Sequence, residues 1–200
     1  MKKRLFPWAL ALLCIGFVGT TDLAAESVPE QFTGRIVDVG GAIPGATSTF
    51  VTIRINEFTS DEQVAGFVKL LGEEGSDALE DALWDLDIGW IRIGGSLGYP
   101  LSLARSFDVD GGRVVRVVTD RPIQMFESMR GLRSKDYPFG IIELRLDDNG
   151  KGEGRLIAAA QAEMAEGRLE IESYGTEPFR LISMSTDKVK VKKKKDKTKN

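Results

Sequence analysis

Few residues in this chain have the types and spacing that common chemistries need. Gly94-Gly95-Ser96-Leu97-Gly98 matches the G-x-S-x-G pattern, which presents a nucleophilic serine at a strand-to-helix elbow. Such a serine needs a general base to take its proton, and the chain contains no histidine. Tyr99-Pro100 follows where the helix would begin, so the segment reads as a glycine-rich turn between strands. Asp147-x-Asn149-x-Lys151-Gly152 resembles the opening of a calcium loop. Lys151 and Ala158 stand at its fifth and twelfth positions, where oxygen ligands are required, so it too reads as a turn. Asp108 and Asp110 read as hairpin residues.

Zinc held by histidine and cysteine is excluded, and no phosphate loop or dinucleotide fingerprint is present. No metal site and no cofactor is expected, although oxygen-liganded calcium or magnesium stays open. Carboxylate chemistry is the catalytic route left open. A glycosidase-type pair needs two acids roughly 5–10 Å apart, and the 30 Asp and Glu of the chain are not paired by sequence spacing. The balance leans away from an enzyme, and no catalytic residue is assigned.

One stretch suits binding. Residues 119–139 join two good strands by a long connection that carries Arg121, Arg130, Arg133 and Lys135 beside Met125, Phe126, Met129 and Tyr137. Long connections on a rigid sheet often hold function. Arginines among apolar side chains fit an amphiphilic anion whose head group a guanidinium would take. The candidate ligand-binding residues are therefore Arg121, Met125, Phe126, Arg130, Arg133 and Tyr137. The other reading is a lid that fills one end of the sheet.

Residues 1–25 have the form of an export signal. Lys2, Lys3 and Arg4 precede an apolar run over 5–18, and Leu23-Ala24-Ala25 supplies small residues before a cleavage at Glu26. Cys14, the only cysteine, lies inside that run after Leu13, so it reads as part of the discarded leader and leaves the mature chain without disulfides or thiolates. No later stretch is long enough for a transmembrane helix. The expected location is the periplasm or outside the cell.

Charge divides the mature chain. Removing the leader takes away three basic residues and Asp22, leaving 24 basic against 29 acidic residues and a net charge of −5. Residues 187–200 hold eight Lys and two Asp, a charge of +6, so the domain before them carries −11. Their composition predicts a disordered tail. Lys192, Lys193, Lys194 and Lys195 would attract an anionic surface such as lipid head groups, envelope polymers or nucleic acid. Without interleaved aromatics they do not indicate base stacking or sequence-specific reading. A purely solubilising tail is the other reading.

The elements that must position these residues follow from periodicity. Residues 32–39 and 49–56 read as strands; in the second, Val51, Ile53 and Ile55 alternate with Thr52, Arg54 and Asn56. The period then lengthens. Thr59 or Ser60 caps a helix with Gln63 as its capping-box partner, Val64, Phe67, Val68 and Leu71 form the apolar stripe, and Gly72 ends it. Ser76 caps a second helix with Leu79, Ala82, Leu83 and Leu86 inward. Its acidic outer residues, with those of the connecting turn, read as a solvated face, or alternatively a surface for cations or basic partners.

Strands resume at 90–93, 101–109 and 113–119, the last two around Asp110-Gly111-Gly112. Arg116 alone marks a wet face on a valine-rich strand. Residues 123–130 suit a short helix. Four evenly spaced strands then follow near 139–147, 155–163, 168–174 and 179–185, paired in sequence order. In the first of these Ile142, Leu144 and Leu146 face one side, and Gly152 and Gly154 loosen the return. The prediction is an α+β fold, mainly antiparallel β: a curved sheet or barrel-like meander of about 8–9 strands with a two-helix insertion. Residues 26–186 form one domain, with the helical hairpin near 60–87.

VVRVVTDRPI (114–123), DYPFGIIELRLDDNGKGEG (136–154), DALEDAL (77–83) and GWIRIGGSLGY (89–99) together resemble an uncharacterised family of exported bacterial proteins. The resemblance covers roughly residues 50–186. It implies a bacterial, exported, single-domain protein and carries no activity, so it transfers no site residue. The function expected is a non-catalytic exported domain that binds a small amphiphilic ligand or an envelope partner. The alternatives are a carboxylate-based hydrolase and a structural or interaction protein without a pocket.

Overall fold

A computed structural model describes residues 29–37, 48–123, 137–165, 168–173 and 178–188. The leader, the connection over 124–136 and the tail from 189 onward lie outside the described residues. Among the described residues nine strands form one antiparallel sheet: β1 (Glu30–Val37), β2 (Thr49–Ile55), β3 (Gly89–Ile93), β4 (Tyr99–Val109), β5 (Gly112–Thr119), β6 (Phe139–Asp147), β7 (Lys151–Ala165), β8 (Arg168–Ser173) and β9 (Phe179–Lys188). Pairing follows chain order from β1 to β7. β9 then pairs with both β7 and β1, closing eight strands into a barrel. The expected sequential pairing fails at one step, because β9 passes over β8. It takes the first half of the long β7, from Lys151 to Leu156, while β8 pairs with residues 160–165.

The barrel interior is filled by side chains. Phe32, Ile36, Val51, Ile53, Ile55, Ile91, Ile93, Val115, Val117, Ile142, Leu144, Leu146, Leu156, Phe179 and Leu181 belong to one buried cluster. Closure bends the strands, and three of them carry bulges that shift the two-residue alternation by one place. On β4 the shift lies between Leu101 and Leu103, and it puts Leu101 and Ala104 in the same core. On β9 it falls at Ser183, the one described non-glycine residue with positive φ (52°), so Leu181 and Met184 both face inward. On β7 it lies between Ile157 and Ala160. The small-residue face expected over Leu156, Ala158, Ala160 and Ala162 is therefore split. Leu156 and Ala158 join the interior, whereas Ala160 and Ala162 face outward clusters.

Two helices, α1 (Asp61–Glu74) and α2 (Ser76–Trp84), pack against the outside of the barrel. Leu71, Leu79 and Leu83 bury themselves on Phe139, with Val118 and Ala162 beside them. The capping box forms as expected: Ser60 Oγ accepts from the Gln63 N–H, and Gln63 Oε1 accepts from the Ser60 N–H. The expected stop at Gly72 is overturned. That glycine is exposed, with open space at its Cβ position, and burial of Leu71 outweighs its cost of about 1 kcal/mol in a helix. α1 ends instead at Gly75, whose φ of 91° suits glycine and which also serves as the N-cap of α2, so Ser76 is a helical residue and not the cap. The acidic outer face is solvated as expected at Glu73, Glu74, Asp77, Asp81 and Asp85, which are exposed, while Glu80 is half-buried. Glu80 has its pKa raised, first by burial and then by Asp77 and Asp81.

The tight turn after β6 is built by Asp147, whose Oδ1 accepts from the Asn149 and Lys151 N–H groups at 2.8 and 2.9 Å. Those bonds, the one to Lys151 foremost, lower its pKa. β7 therefore starts at Lys151. Gly152 does not loosen the return but lies in the ladder opposite Leu146, where a Cβ would collide with the carbonyl oxygen of Arg145.

Leu144→Ala is expected to cost about 2–5 kcal/mol, because its side chain is fully buried in the barrel; urea unfolding gives the value, and an unchanged midpoint would contradict this register. Ser183→Gly should do the reverse. Relief of a left-handed residue, worth about 1–2 kcal/mol, exceeds the added chain entropy of glycine, so a gain of up to about 1 kcal/mol is expected in the same assay.

Candidate functional site

The described ends of the long connection meet at one end of the barrel. β5 finishes at Thr119, whose Oγ1 accepts from the Gly140 N–H at 2.8 Å and donates to the Arg121 carbonyl. Ile123 is buried in the core, and its N–H donates to the Ala158 carbonyl at 2.8 Å. Nearby, the buried hydroxyl of Ser102, at the β4 bulge, has no hydrogen-bond partner among the described residues.

Between these anchors stands a built corner. The Asp120 side chain is 1% exposed and accepts from Arg121 Nε at 3.0 Å and from Nη2. That hydrogen bond raises the Arg121 pKa, against a smaller opposing effect of burial. The guanidinium lies over the indole of Trp84, 4.5 Å from the ring centroid. Trp84 closes α2 and is 50% exposed. A planar cation, still partly exposed, is thus held by a buried carboxylate and stacked on a ring.

The structure places Arg121 in this corner and Tyr137, half-buried, just before β6. Met125, Phe126, Arg130 and Arg133 lie outside the described residues, as do Lys192, Lys193, Lys194 and Lys195. Trp84 and Asp120 are the site residues that sequence reasoning missed. One signal for Trp84 was available: a large aromatic stands one place past Leu83, off the apolar stripe and among acids.

A second charged cluster is structural. Arg116, expected to face water, is buried. Its Nε donates to Glu143 Oε2 at 2.9 Å across β5 and β6, with both side chains under 10% exposed. Arg145 reaches the other oxygen of Glu143 at 3.1 Å, and Phe107 lies against Arg116. The wet face of β5 is covered because the charges pair directly across the ladder. Asp120 and Glu143, the two buried carboxylates among the described residues, are both engaged by guanidinium donors.

Ser96 sits in the turn between β3 and β4. Its Oγ accepts from the Ile93 N–H at 3.1 Å, and β4 rather than a helix follows. The hydroxyl thus closes a turn and does not crown an elbow.

No protein-family model, curated protein or solved structure matches the chain. The resemblance noted above therefore rests on its quoted motifs.

Glu143→Ala is expected to destabilise the protein by about 3–5 kcal/mol, because it removes the carboxylate that balances the buried Arg116 charge. Arg145→Ala removes the exposed partner and should cost less than about 1 kcal/mol. Urea unfolding of the two variants separates a buried pair from a surface one; equal losses would refute the distinction.

Proposed function

We propose that the chain is an exported, non-catalytic bacterial domain that binds an anionic amphiphile of the cell envelope, in the periplasm or outside the cell. The leader-like start and the resemblance to exported proteins support the location. The observation that carries the binding reading is the Asp120–Arg121–Trp84 corner. A guanidinium that is already oriented loses little freedom when it takes a head group. The indole beside it offers an apolar plane to the rest of the ligand. The filled interior supports a site at the barrel end, where the described ends of the connection meet, in preference to a hollow calyx.

Native mass spectrometry of the mature protein, purified gently from a bacterial envelope, tests the reading. The expected result is a mass above that of the bare chain, released by organic solvent and lost in both Arg121→Gln and Trp84→Ala. A bare chain in the unmodified protein, or retention of the added mass by both variants, would count against it.

A further inference from the structure

The outer face of β1, β2 and β3 stands apart from the rest of the surface. Side-chain alternation turns Arg35, Phe50, Arg54, Trp90 and Arg92 outward, since Phe32, Ile36, Val51, Ile53, Ile55, Ile91 and Ile93 fill the interior. The registers place them side by side: Arg35 opposite Phe50, Arg54 opposite Trp90, and Arg92 opposite Thr52. The patch measures roughly 10 by 15 Å from strand spacing and rise.

Its arginines differ from most others among the described residues. Arg105, Arg113, Arg116, Arg121, Arg145 and Arg180 each hold a carboxylate. Arg35, Arg54 and Arg92 hold none among the described residues. Arg35 donates to Ser48 Oγ, and Arg54 donates to Asn56 Oδ1 at 3.1 Å. Arg35 lies 4.6 Å over the Phe50 ring, and Arg92 lies 4.2 Å over Trp90. In a domain of net charge −11, three adjacent cations without a carboxylate partner among the described residues suit an external anion; the acid beside them, Asp187, accepts from Thr33.

Two further observations select the anion. Phe50 is 68% exposed, and Leu97, in the turn that follows β3, is 98% exposed. That turn is tied to Phe50, because the Gly94 N–H donates to the Phe50 carbonyl at 2.8 Å. Exposed apolar tips flanked by arginine suit a bilayer interface, where tips enter and cations meet phosphate. The same rings suit nucleic acid less well, since an arginine already covers one face of each. The whole-molecule charge agrees. The acidic helices pack on Val118, Phe139 and Ala162 of β5, β6 and β7, and in the eight-strand circuit β6 stands four places from β2 in either direction. The resulting polarity would turn the arginine face toward an anionic surface.

We propose that the outer face of β1–β3 docks on anionic phospholipid membranes, with Phe50 and Leu97 entering the interface and Arg35, Arg54 and Arg92 meeting head-group phosphates. The inference goes beyond the amphiphile reading and stands independently of it. Co-sedimentation of the mature chain with vesicles tests it. One set is phosphatidylcholine alone; the other contains about one third phosphatidylglycerol. The unmodified chain should bind the anionic vesicles and not the neutral ones, and less at high salt. Combined Arg35→Gln, Arg54→Gln and Arg92→Gln should weaken binding at least about tenfold. The loss should persist when Lys192, Lys193, Lys194 and Lys195 are replaced by Gln, so that tail attraction does not mask it. Thermal unfolding verifies that the triple variant is folded, and Leu97→Trp, which leaves the arginines intact, should show blue-shifted emission on anionic vesicles only. Failure of the folded protein to bind anionic vesicles, or unchanged binding by the triple variant, would overturn the proposal. So would binding to single-stranded oligonucleotides in place of vesicles.

Discussion

Closure of the sheet by β9 is the constraint on which the rest of the structure depends. β9 hydrogen-bonds to β1 on one side and to β7 on the other, so every strand of the barrel is paired on both edges. Eight strands make a barrel just wide enough for side chains to fill, and phenylalanine, isoleucine, leucine and valine fill this one. Arg113 and Glu30 close one end. Both stand on the inward face, two residues from Val115 and Phe32. Their two bonds of 2.6 and 3.1 Å join strands that are not neighbours in the sheet. With the interior occupied and the edges used, binding chemistry is left to the outer face and the barrel ends.

That outer surface is divided by charge and by burial. One side carries two helices whose leucines cover β5, β6 and β7, and beside them the Arg116–Glu143 pair is sealed between strands. There the charges satisfy one another and specify register. On the opposite side the arginines have aromatic neighbours and no carboxylate partner among the described residues. The same residue type thus serves packing on one face and remains available on the other, and only its cross-strand neighbours distinguish the two cases. The Asp120–Arg121–Trp84 corner lies between these extremes: its carboxylate is buried, while its guanidinium and indole still meet solvent.

Much of the architecture was legible because it is written in local periods. Val51, Ile53 and Ile55, and likewise Ile142, Leu144 and Leu146, alternate without interruption, and all six face the interior. Ser60 and Gln63 announced the start of α1 by hydrogen bonds that close within four residues. The misreadings share a cause. The residues between Ile157 and Ala160 shift the alternation at a bulge that closure demands, and a bulge has no compulsory residue type. Gly72 resembled a stop because a helix-ending glycine is recognised by its φ, which was taken by Gly75. Arg116 was read as wet because its partner Glu143 lies 27 residues away. Of the candidate site, Arg121 and Tyr137 were legible as polar and aromatic residues at the ends of a long connection. Asp120 and Trp84 became site residues only when α2 was brought beside the end of β5.

The sequence by itself determined the class of the fold, antiparallel strands with a helical pair, together with a basic end, the absence of histidine and a single cysteine. These properties depend on composition and on contacts a few residues apart, so they can be read in order along the chain. The tertiary structure decided that the sheet closes, that β9 rather than β8 closes it, and which arginines find carboxylates. Those outcomes depend on which strand edges meet and which outward side chains become cross-strand neighbours. Both are set by long-range register, and register is fixed only when the whole barrel buries its interior at once.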